Sequence, residues 1–252
     1  MTTESPIGLL RFRGPDAVKF LQGQLSNDMT ALGNERLMLA GLHNPQGRVL
    51  ALLQLAALAP DHIVALLPTE LAETTLATLR RYVLRARVTI SNDSSPAVLA
   101  ELAAQSPCAA SALSAATRAA DLAAGLPQVY AATSGEFVAQ MLNLDCVGAI
   151  SFNKGCYTGQ EIIARAHYRG RMKRRMQRFV SNGPAALVPG QSITLGDGRS
   201  AQVVDAVTLA DGRSEFLAVA ALEADPAAAA GGTTATATVP VTPLPLPYAL
   251  PQ

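Results

Sequence analysis

The first ninety residues alternate between segments with a strand-like period and segments with a helix-like period. IGLLRF predicts a strand, and the following GPDAVKFLQGQL predicts a helix with Pro15 in its first turn. Two apolar runs, RVLALLQLAAL and HIVALL, predict strands separated by Pro60 and Asp61. TELAETTLATLRRYV then has the spacing of an amphipathic helix, and ARVTI predicts a further strand. Helices and strands mixed in this order predict an α+β fold with helices on a largely antiparallel sheet.

The last third of the chain consists of shorter strand-like runs. GDGR at 196–199 and ADGR at 210–213 each place Asp-Gly between β-rich segments, which is a strong hairpin signal. We therefore predict a small C-terminal β-barrel over residues 181–225. Residues 226–252 begin with Ala- and Thr-rich tracts, and five of the sixteen prolines fall in the last thirteen positions, which predicts an extended tail.

An Ala-rich segment lies between these two regions. Residues 96–124 are prone to form helices and are interrupted by Pro107. We interpret them as a short helical connection rather than as a repeat.

Composition excludes several classes of protein. Nearly half of the 252 residues are apolar and the formal net charge is +1, which is typical of a globular chain and not of a disordered one. The longest apolar run, VLALLQLAALA, is interrupted by Gln54 and falls short of the ~20 residues that a membrane-spanning helix needs. The opening MTTESPIGLLRF lacks the pattern of an export signal. We therefore expect no membrane segment and no export.

The cysteines are few and have no paired spacing. The chain has three, Cys108, Cys146 and Cys156, and none forms a C-x-x-C pair. This predicts no disulfide framework and a reducing, cytoplasmic location. An iron–sulfur cluster normally takes four thiolates, and the three histidines do not have the spacing of metal ligands. We therefore expect no stably bound metal.

The segment KGCYTGQEIIAR, residues 154–165, presents one of these cysteines in an unusual setting. Thr158 and Glu161 fit the capping box, which predicts a helix that begins at about Thr158. Cys156 then precedes a helix N-terminus and lies two residues from Lys154, and both neighbours are expected to lower the pKa of its thiol. The alternative is a buried, inert cysteine that only fills space in a tight turn. The predicted helix has three inward-facing residues: Ile162, Ile163 and Ala166.

KGCYTGQE, preceded by SGEFVAQMLNLDCVGAISF and followed by ARAHYRGRMKRR, resembles the signature of the YgfZ family. GPDAVKFLQGQLSND, NPQGRVL, LRRYVLRARVTI and DLAAGLPQVYAATSGEF agree as well, so the resemblance covers residues 8–225. It implies the fold of the glycine-cleavage aminomethyltransferase (T-protein), with a folate-binding body of two intertwined lobes over residues 1–180, followed by the barrel. It also implies a folate-binding factor that supports the assembly or repair of iron–sulfur clusters and, through client enzymes, tRNA modification.

The resemblance also implies site residues. Cys156 would act as a thiolate, either by transient ligation of a cluster or by redox exchange. Tetrahydrofolate or a derivative would bind in a central cavity near the NPQGR turn, where Gln or Glu side chains pair with the pterin edge and Lys154 or Arg165 meets the anionic tail. The chain has no tryptophan to stack on the pterin. The expected folate contacts are Lys154, Tyr157, Gln160, Glu161, Arg165, Asn44 and Arg48.

A dense basic run follows the motif. Seven of the fourteen residues 165–178 are Lys or Arg, and no acidic residue lies between Glu161 and Asp197. Either this run is a solvated face or it binds an anion, and the tail of a folate polyglutamate fits better than an RNA backbone because no RNA-binding module is present. The sequence thus does not favour direct tRNA binding, although an RNA-binding module that uses residues 165–178 stays an alternative.

The second alternative is a folate-dependent aminomethyltransferase. That family carries adjacent aspartates four and five residues after the glycine of the loop that enters the folate site. The matching positions after Gly47 are Ala51 and Leu52, so a carboxylate that would orient the folate nitrogens is missing. We expect a non-catalytic folate-dependent factor.

Overall fold

A computed structural model of the chain describes residues 7–106, 109, 112–113, 117–222 and 237–251. Its first sheet has five strands in the order β2-β3-β4-β1-β5, and every neighbouring pair is antiparallel. The predicted antiparallel sheet is therefore confirmed, and one further strand, β2, joins its edge. The strands are β1 (Ile7–Arg13), β2 (Met38–His43), β3 (Val49–Ala59), β4 (His62–Pro68) and β5 (Thr89–Asn92).

Five α-helices with both ends among the described residues accompany the sheets, together with two short 3-10 helices, Met29–Ala31 and Ala139–Leu142. The α-helices are α1 (Ala17–Gln24), α2 (Thr69–Arg80), α3 (Pro96–Gln105), α4 (Thr117–Ala123) and α5 (Gln160–Arg169). Helices α3 and α4 lie in the Ala-rich connection, while Pro107, which was predicted to interrupt it, lies outside the described residues. No helix of these described ranges is both long and apolar enough to cross a membrane.

The second sheet has six strands in the order β10-β7-β8-β9-β6-β11. Both Asp-Gly turns form the predicted hairpins, with Gly198 at φ 84° and Gly212 at φ 81°. The sheet begins at Arg174, before the boundary predicted at residue 181. Its strands are β6 (Arg174–Pro184), β7 (Ser192–Leu195), β8 (Ser200–Thr208), β9 (Arg213–Ala221), β10 (Thr238–Val239) and β11 (Val241–Leu244).

The C-terminal segment nearly closes this second sheet into a barrel. Strand β10 pairs with β7 at one edge, and β11 pairs with β6 at the opposite edge. Only Pro240 separates the two, and its carbonyl accepts a hydrogen bond from the main chain of Asn182 at 2.9 Å. The described part of the predicted tail is thus extended, and it is paired with the sheet along part of its length.

One apolar core joins the two sheets. It combines Leu53 of β3 and Leu21 of α1 with Met176 of β6 and Leu217 of β9, all fully buried. Tyr157 belongs to the same cluster. The residue after Cys156 is therefore fixed to the core that organises the whole body. A smaller second core inside the barrel is centred on a stacked pair of phenylalanine rings, with centroids 5.5 Å apart.

Candidate functional site

The NPQGR turn and the KGCYTGQE loop, which are distant in the sequence, are in direct contact. The Asn44 side chain organises the turn by accepting hydrogen bonds from the main-chain N–H groups of Gln46 at 3.0 Å and Arg48 at 2.9 Å. Gly159 packs on this turn so closely that an added Cβ would lie 2.5 Å from the Asn44 carbonyl oxygen and 3.0 Å from the Gly47 Cα. Gly47 and Gly159 both have positive φ, at 71° and 81°. Two glycines therefore fasten the turn to the loop.

Arg48 extends this framework to a third segment. Its guanidinium donates to the carbonyl of Gly135 at 3.3 Å and to that of Glu136. Its main chain forms an isolated bridge with Val138. Asn44 and Arg48, both expected to contact folate, thus lie beside the loop with side chains that hold the local backbone.

Lys154 anchors the loop on the side that precedes Cys156. Its ammonium donates to the carbonyls of Gln22 at 2.7 Å, Leu25 at 2.5 Å and Asn27 at 2.7 Å. These acceptors lie at the C-terminal end of α1, where the helix dipole favours a cation. Burial lowers the pKa of Lys154 to about 8, so the ammonium is still the main form at neutral pH. Lys154, which was expected to lower the pKa of the Cys156 thiol or to meet an anionic tail, thus directs its three donors at backbone carbonyls.

Tyr157 anchors the loop on the other side of Cys156. The side chain is 7% exposed, its ring centroid lies 5.1 Å from the Lys154 ammonium, and burial raises the pKa of Tyr157 to about 12. The His43 ring lies 6.1 Å from the Tyr157 ring and is itself 2% exposed, and neither of its nitrogens has a hydrogen-bond partner among the described residues. Burial lowers the pKa of His43 to about 4, so the imidazole is neutral at pH 7. Tyr157, predicted as a folate contact, is thus a core side chain.

Cys156 itself is exposed between these two anchors. Gly155 beside it is open, since an added Cβ would meet no atom within 4 Å. This position is therefore not that of the buried, space-filling cysteine that was the alternative. Cys146 differs, because it is half-buried beside Asp145 and its pKa is raised to about 11, mainly by burial. Cys108 lies outside the described residues.

The start of α5 differs from the predicted capping box. The N-cap residue is Gly159 and not Thr158, and within the described part of the chain no side chain caps the helix. The physical reason is the close approach to Asn44, which requires a glycine with positive φ at the position where the helix begins. Ile163 is buried as predicted, whereas Ile162 is 41% exposed and lies over Gly47. The third residue predicted to face inward, Ala166, is half-buried.

The outward face of α5 lines a shallow cleft of about 490 Å³. Tyr168 is 68% exposed there, yet the rings of His167 and Phe152 hold it edge-on at centroid distances of 4.8 and 6.0 Å. Those two supporting rings stack on each other at 3.8 Å. Tyr168 was not predicted from the sequence as a site residue. Its position next to His167 at the end of an amphipathic helix could have indicated an exposed aromatic ring there. The lining residues are Glu161, Ala164, Arg165, Tyr168 and Arg169.

Gln160, the first residue of α5, is half-buried, and its main-chain N–H donates to the carbonyl of Tyr157 at 3.2 Å. Of the seven predicted folate contacts, only Glu161 and Arg165 line the cleft. The others lie in or next to the framework of the loop.

The basic run divides into an internal part and an exposed part. Arg175 is 3% exposed and donates to both carboxylate oxygens of Asp145, at 3.0 and 2.9 Å. Arg178 pairs with Glu215 at 2.6 Å, and Arg174 donates to a carbonyl of β9. The exposed part enters none of the ion pairs that the described residues form; it consists of Arg165, Arg169, Arg171 and Lys173. A single basic face over residues 165–178 is therefore not present.

Comparisons with known proteins bear on the family and the fold of this chain. The GCVT N-terminal domain matches residues 2–147. The tRNA-modifying protein YgfZ of Klebsiella pneumoniae is 31% identical over 81% of this chain and 80% of its own length. The protein of that name from Cronobacter sakazakii is 28% identical over 81% of this chain and 79% of its own.

Among solved structures, the glycine cleavage system aminomethyltransferase T from Bartonella henselae has a TM-score of 0.62 at 15% identity. The match covers 86% of this chain and 77% of that one, and it confirms the predicted fold class. The chain therefore belongs to the YgfZ family, as its curated relatives show, and its residues 2–147 match the GCVT N-terminal domain.

Proposed function

We propose that this protein is a folate-binding accessory factor that supports the assembly or repair of iron–sulfur clusters in client enzymes, including enzymes that modify tRNA. The cluster is the cargo of this activity, and Cys156 is the functional thiol. The tRNA link is supported by curated relatives that are named tRNA-modifying proteins. The activity belongs in the cytoplasm, where reducing conditions keep a thiol free.

The observation that carries this proposal is the way Cys156 is held. Its thiol is exposed, while Lys154 before it and Tyr157 after it are both buried and Gly159 is packed against the NPQGR turn. An exposed thiol on a loop that is fixed at three points is available to an incoming partner and keeps one position. Such an arrangement favours contact with a cluster or disulfide on another molecule over a packing role.

The outward face of α5 carries side chains that fit a reduced folate. The Glu161 carboxylate can accept the N–H edge of the pterin, and the supported Tyr168 ring offers a flat surface in a chain that has no tryptophan. The Arg165 guanidinium can donate to the glutamate carboxylate. Folate, when bound, supplies one-carbon chemistry or acts as a regulatory ligand. The chain's own residues bind it and fix its orientation a few residues from Cys156.

No observation favours the aminomethyltransferase alternative. Ala51 and Leu52, at the positions where that family carries carboxylates, are 0% and 5% exposed and lie within β3. The likeness to the solved aminomethyltransferase concerns the fold.

Complementation tests the role of the thiol. In a strain that lacks this protein, Cys156→Ser should abolish rescue of an iron–sulfur enzyme and of its tRNA modification, while the melting temperature stays unchanged because the side chain is exposed. Gly155→Ala is the matched control in the same loop, since its added methyl group meets no atom. Full rescue by Cys156→Ser would refute the proposal.

A further inference from the structure

The α2–β5 loop, residues 81–88, exposes two large apolar side chains. Leu84 is 86% exposed, more than any other large hydrophobic residue in the described part of the chain, and Tyr82 is 44% exposed. Single exposed apolar residues are common on protein surfaces, whereas apolar side chains grouped within a polar rim mark interaction sites. Here the two lie two residues apart, so the side chains next to them in the loop decide which kind of surface this is.

Those neighbours are basic. Arg81 and Arg85 are exposed, and none of the ion pairs that the described residues form includes either of them. No acidic residue lies between Glu73 and Asp93 in the sequence, and both of these carboxylates bind side chains outside the loop. The charge of the two guanidinium groups is therefore available to a partner that carries carboxylates.

Contacts at both ends hold the α2–β5 loop in one shape. At its start, Arg80 of α2 donates to the carbonyl of Ile90 at 2.9 Å. At its end, the Asp16 carboxylate accepts from the main-chain N–H of Arg87 at 2.8 Å and pairs with its guanidinium at 3.3 Å. Two half-buried side chains between these ends pack on the large core: Val83 and Ala86. The exposed side chains thus project from a supported backbone, and a surface that is already ordered loses less entropy on binding.

Helix α1 connects this loop with the loop of Cys156. Asp16, which binds Arg87, is the N-cap of α1, and Leu25, whose carbonyl binds Lys154, is its C-cap. The nine residues from one cap to the other rise about 14 Å. A standard protein interface is about 30 Å across. The two anchors are therefore closer together than the width of one interface, so one partner is large enough to contact both loops.

We propose that the α2–β5 loop is the docking surface for a protein partner that presents an apolar pocket with a rim of carboxylates. Leu84 and Tyr82 enter the pocket, and Arg81 and Arg85 pair with the rim. Tyrosine and arginine are enriched at the energetic centre of protein interfaces. The partner is the client that carries the cluster, and in this respect the inference rests on the proposed function.

Two other anionic surfaces fit the loop less well. Single-stranded RNA would use the arginines and the Tyr82 ring, but it would leave Leu84, the most exposed of these side chains, in water. An anionic bilayer would take up Leu84 and Tyr82, but these two side chains bury less apolar surface than a single acyl chain, which anchors a protein only marginally. A protein pocket uses all four side chains.

Rescue of an iron–sulfur enzyme in a strain that lacks this protein tests the docking, when expression of the full chain is varied. Truncating a side chain at the centre of an interface weakens binding about fivefold to thirtyfold. Leu84→Ser/Arg85→Gln should therefore need at least about tenfold more protein than the parent for the same rescue. Its melting temperature and the alkylation rate of Cys156 should match those of the parent, because both altered side chains are exposed.

The matched control is Val188→Ser/Arg36→Gln, which removes an exposed apolar side chain and an exposed charge elsewhere. It should rescue at the expression level that suffices for the parent. A shift as large as that of Leu84→Ser/Arg85→Gln would show that the effect is not specific to the α2–β5 loop and would overturn the inference.

The other outcomes separate the docking surface from the proposed function. Rescue by Leu84→Ser/Arg85→Gln at the parent's lowest sufficient level overturns the docking inference alone, and so does a loss that no expression level restores, because such a loss is not one of affinity. Full rescue by Cys156→Ser, together with the expected shift for Leu84→Ser/Arg85→Gln, overturns the role of the thiol and keeps the docking surface. Binding of unfractionated tRNA, or of vesicles of phosphatidylglycerol and phosphatidylcholine, that the parent shows and this variant loses overturns the inference in favour of RNA or of a bilayer.

Discussion

His43 makes the stability of the protein dependent on pH in a way that can be calculated. The imidazole is almost fully buried against Tyr157, and burial lowers its pKa from 6.5 to about 4. The unfolded chain therefore takes up a proton below pH 6.5 that the folded chain does not bind until about pH 4. Because the pKa of His43 is lower in the folded than in the unfolded chain, the protein has its full stability above pH 6.5 and loses part of it as the pH falls from 6.5 to about 4.

The size of the effect follows from the two pKa values. The free energy of unfolding should fall by about 2 kcal/mol between pH 7.5 and pH 5, and by about 3 kcal/mol by pH 4, from this residue alone. The variant His43→Leu removes the titrating group and keeps an apolar side chain of similar size. Since both ring nitrogens lack a partner in the part of the chain that the structure describes, the leucine should cost little at pH 7.5 or even stabilise the protein.

Urea unfolding of parent and variant at pH 7.5 and pH 5 measures the effect. For each protein we compare the free energy of unfolding at the two pH values. The other titrating groups are the same in parent and variant, so their contributions cancel in the difference between the two proteins. We expect the parent to lose about 2 kcal/mol more than His43→Leu. Equal losses in the two proteins would show that the imidazole is not held neutral by burial.

Three further predictions test the framework around the loop. Gly159→Ala should lower the free energy of unfolding by at least about 1–3 kcal/mol, because φ is 81° and the methyl group would lie 2.5 Å from the Asn44 carbonyl oxygen; a urea curve that matches the parent would contradict the packing. In a Cys108→Ser background, alkylation at pH 8 should label Cys156 at least about tenfold faster than Cys146, which is half-buried with a pKa of about 11. Loss of the fast phase in Cys156→Ser identifies the thiol, and persistence of that phase would refute the assignment. Asp145→Asn should lower the free energy of unfolding by about 3–5 kcal/mol, because it leaves the Arg175 guanidinium buried without its counter-ion. Arg169→Gln should change the free energy of unfolding by no more than about 0.5 kcal/mol, because Arg169 is exposed. Similar urea midpoints for the two variants would contradict the division of the basic run into an internal and an exposed part.

The strands and hairpins were predictable because their signals are local. The apolar runs of β3 and β4 and the two Asp-Gly turns each carry enough information in a few residues to define a strand or a hairpin. Strands β10 and β11 were not predicted as strands, because pairings of two and four residues inside a Pro-rich segment have no local signal. They form because β6 and β7 leave two sheet edges unpaired near each other.

The loop around Cys156 could be located from the sequence, whereas the contacts of its residues could not. Lys154 was expected to lower the pKa of the Cys156 thiol, but its ammonium donates to three carbonyls at the end of α1. No local sequence pattern predicts these contacts, because the two segments are distant in the sequence. Thr158 and Glu161 match the capping box, yet contact with Asn44 moves the helix start to Gly159. In both cases a long-range contact overrides a local preference.

The position of Cys156 therefore depends on the whole body of the protein. Its loop is held by the end of α1 through Lys154, by the core through Tyr157, and by the β2–β3 turn through Gly159. These supports are distant in the sequence, so the loop keeps its shape only while the first sheet and α1 are in place. The same three contacts fix the start of α5, whose outward face carries the proposed folate residues. A ligand on that face and a partner at the thiol would thus meet on one short rigid segment, which is the physical basis for expecting that folate and Cys156 act together.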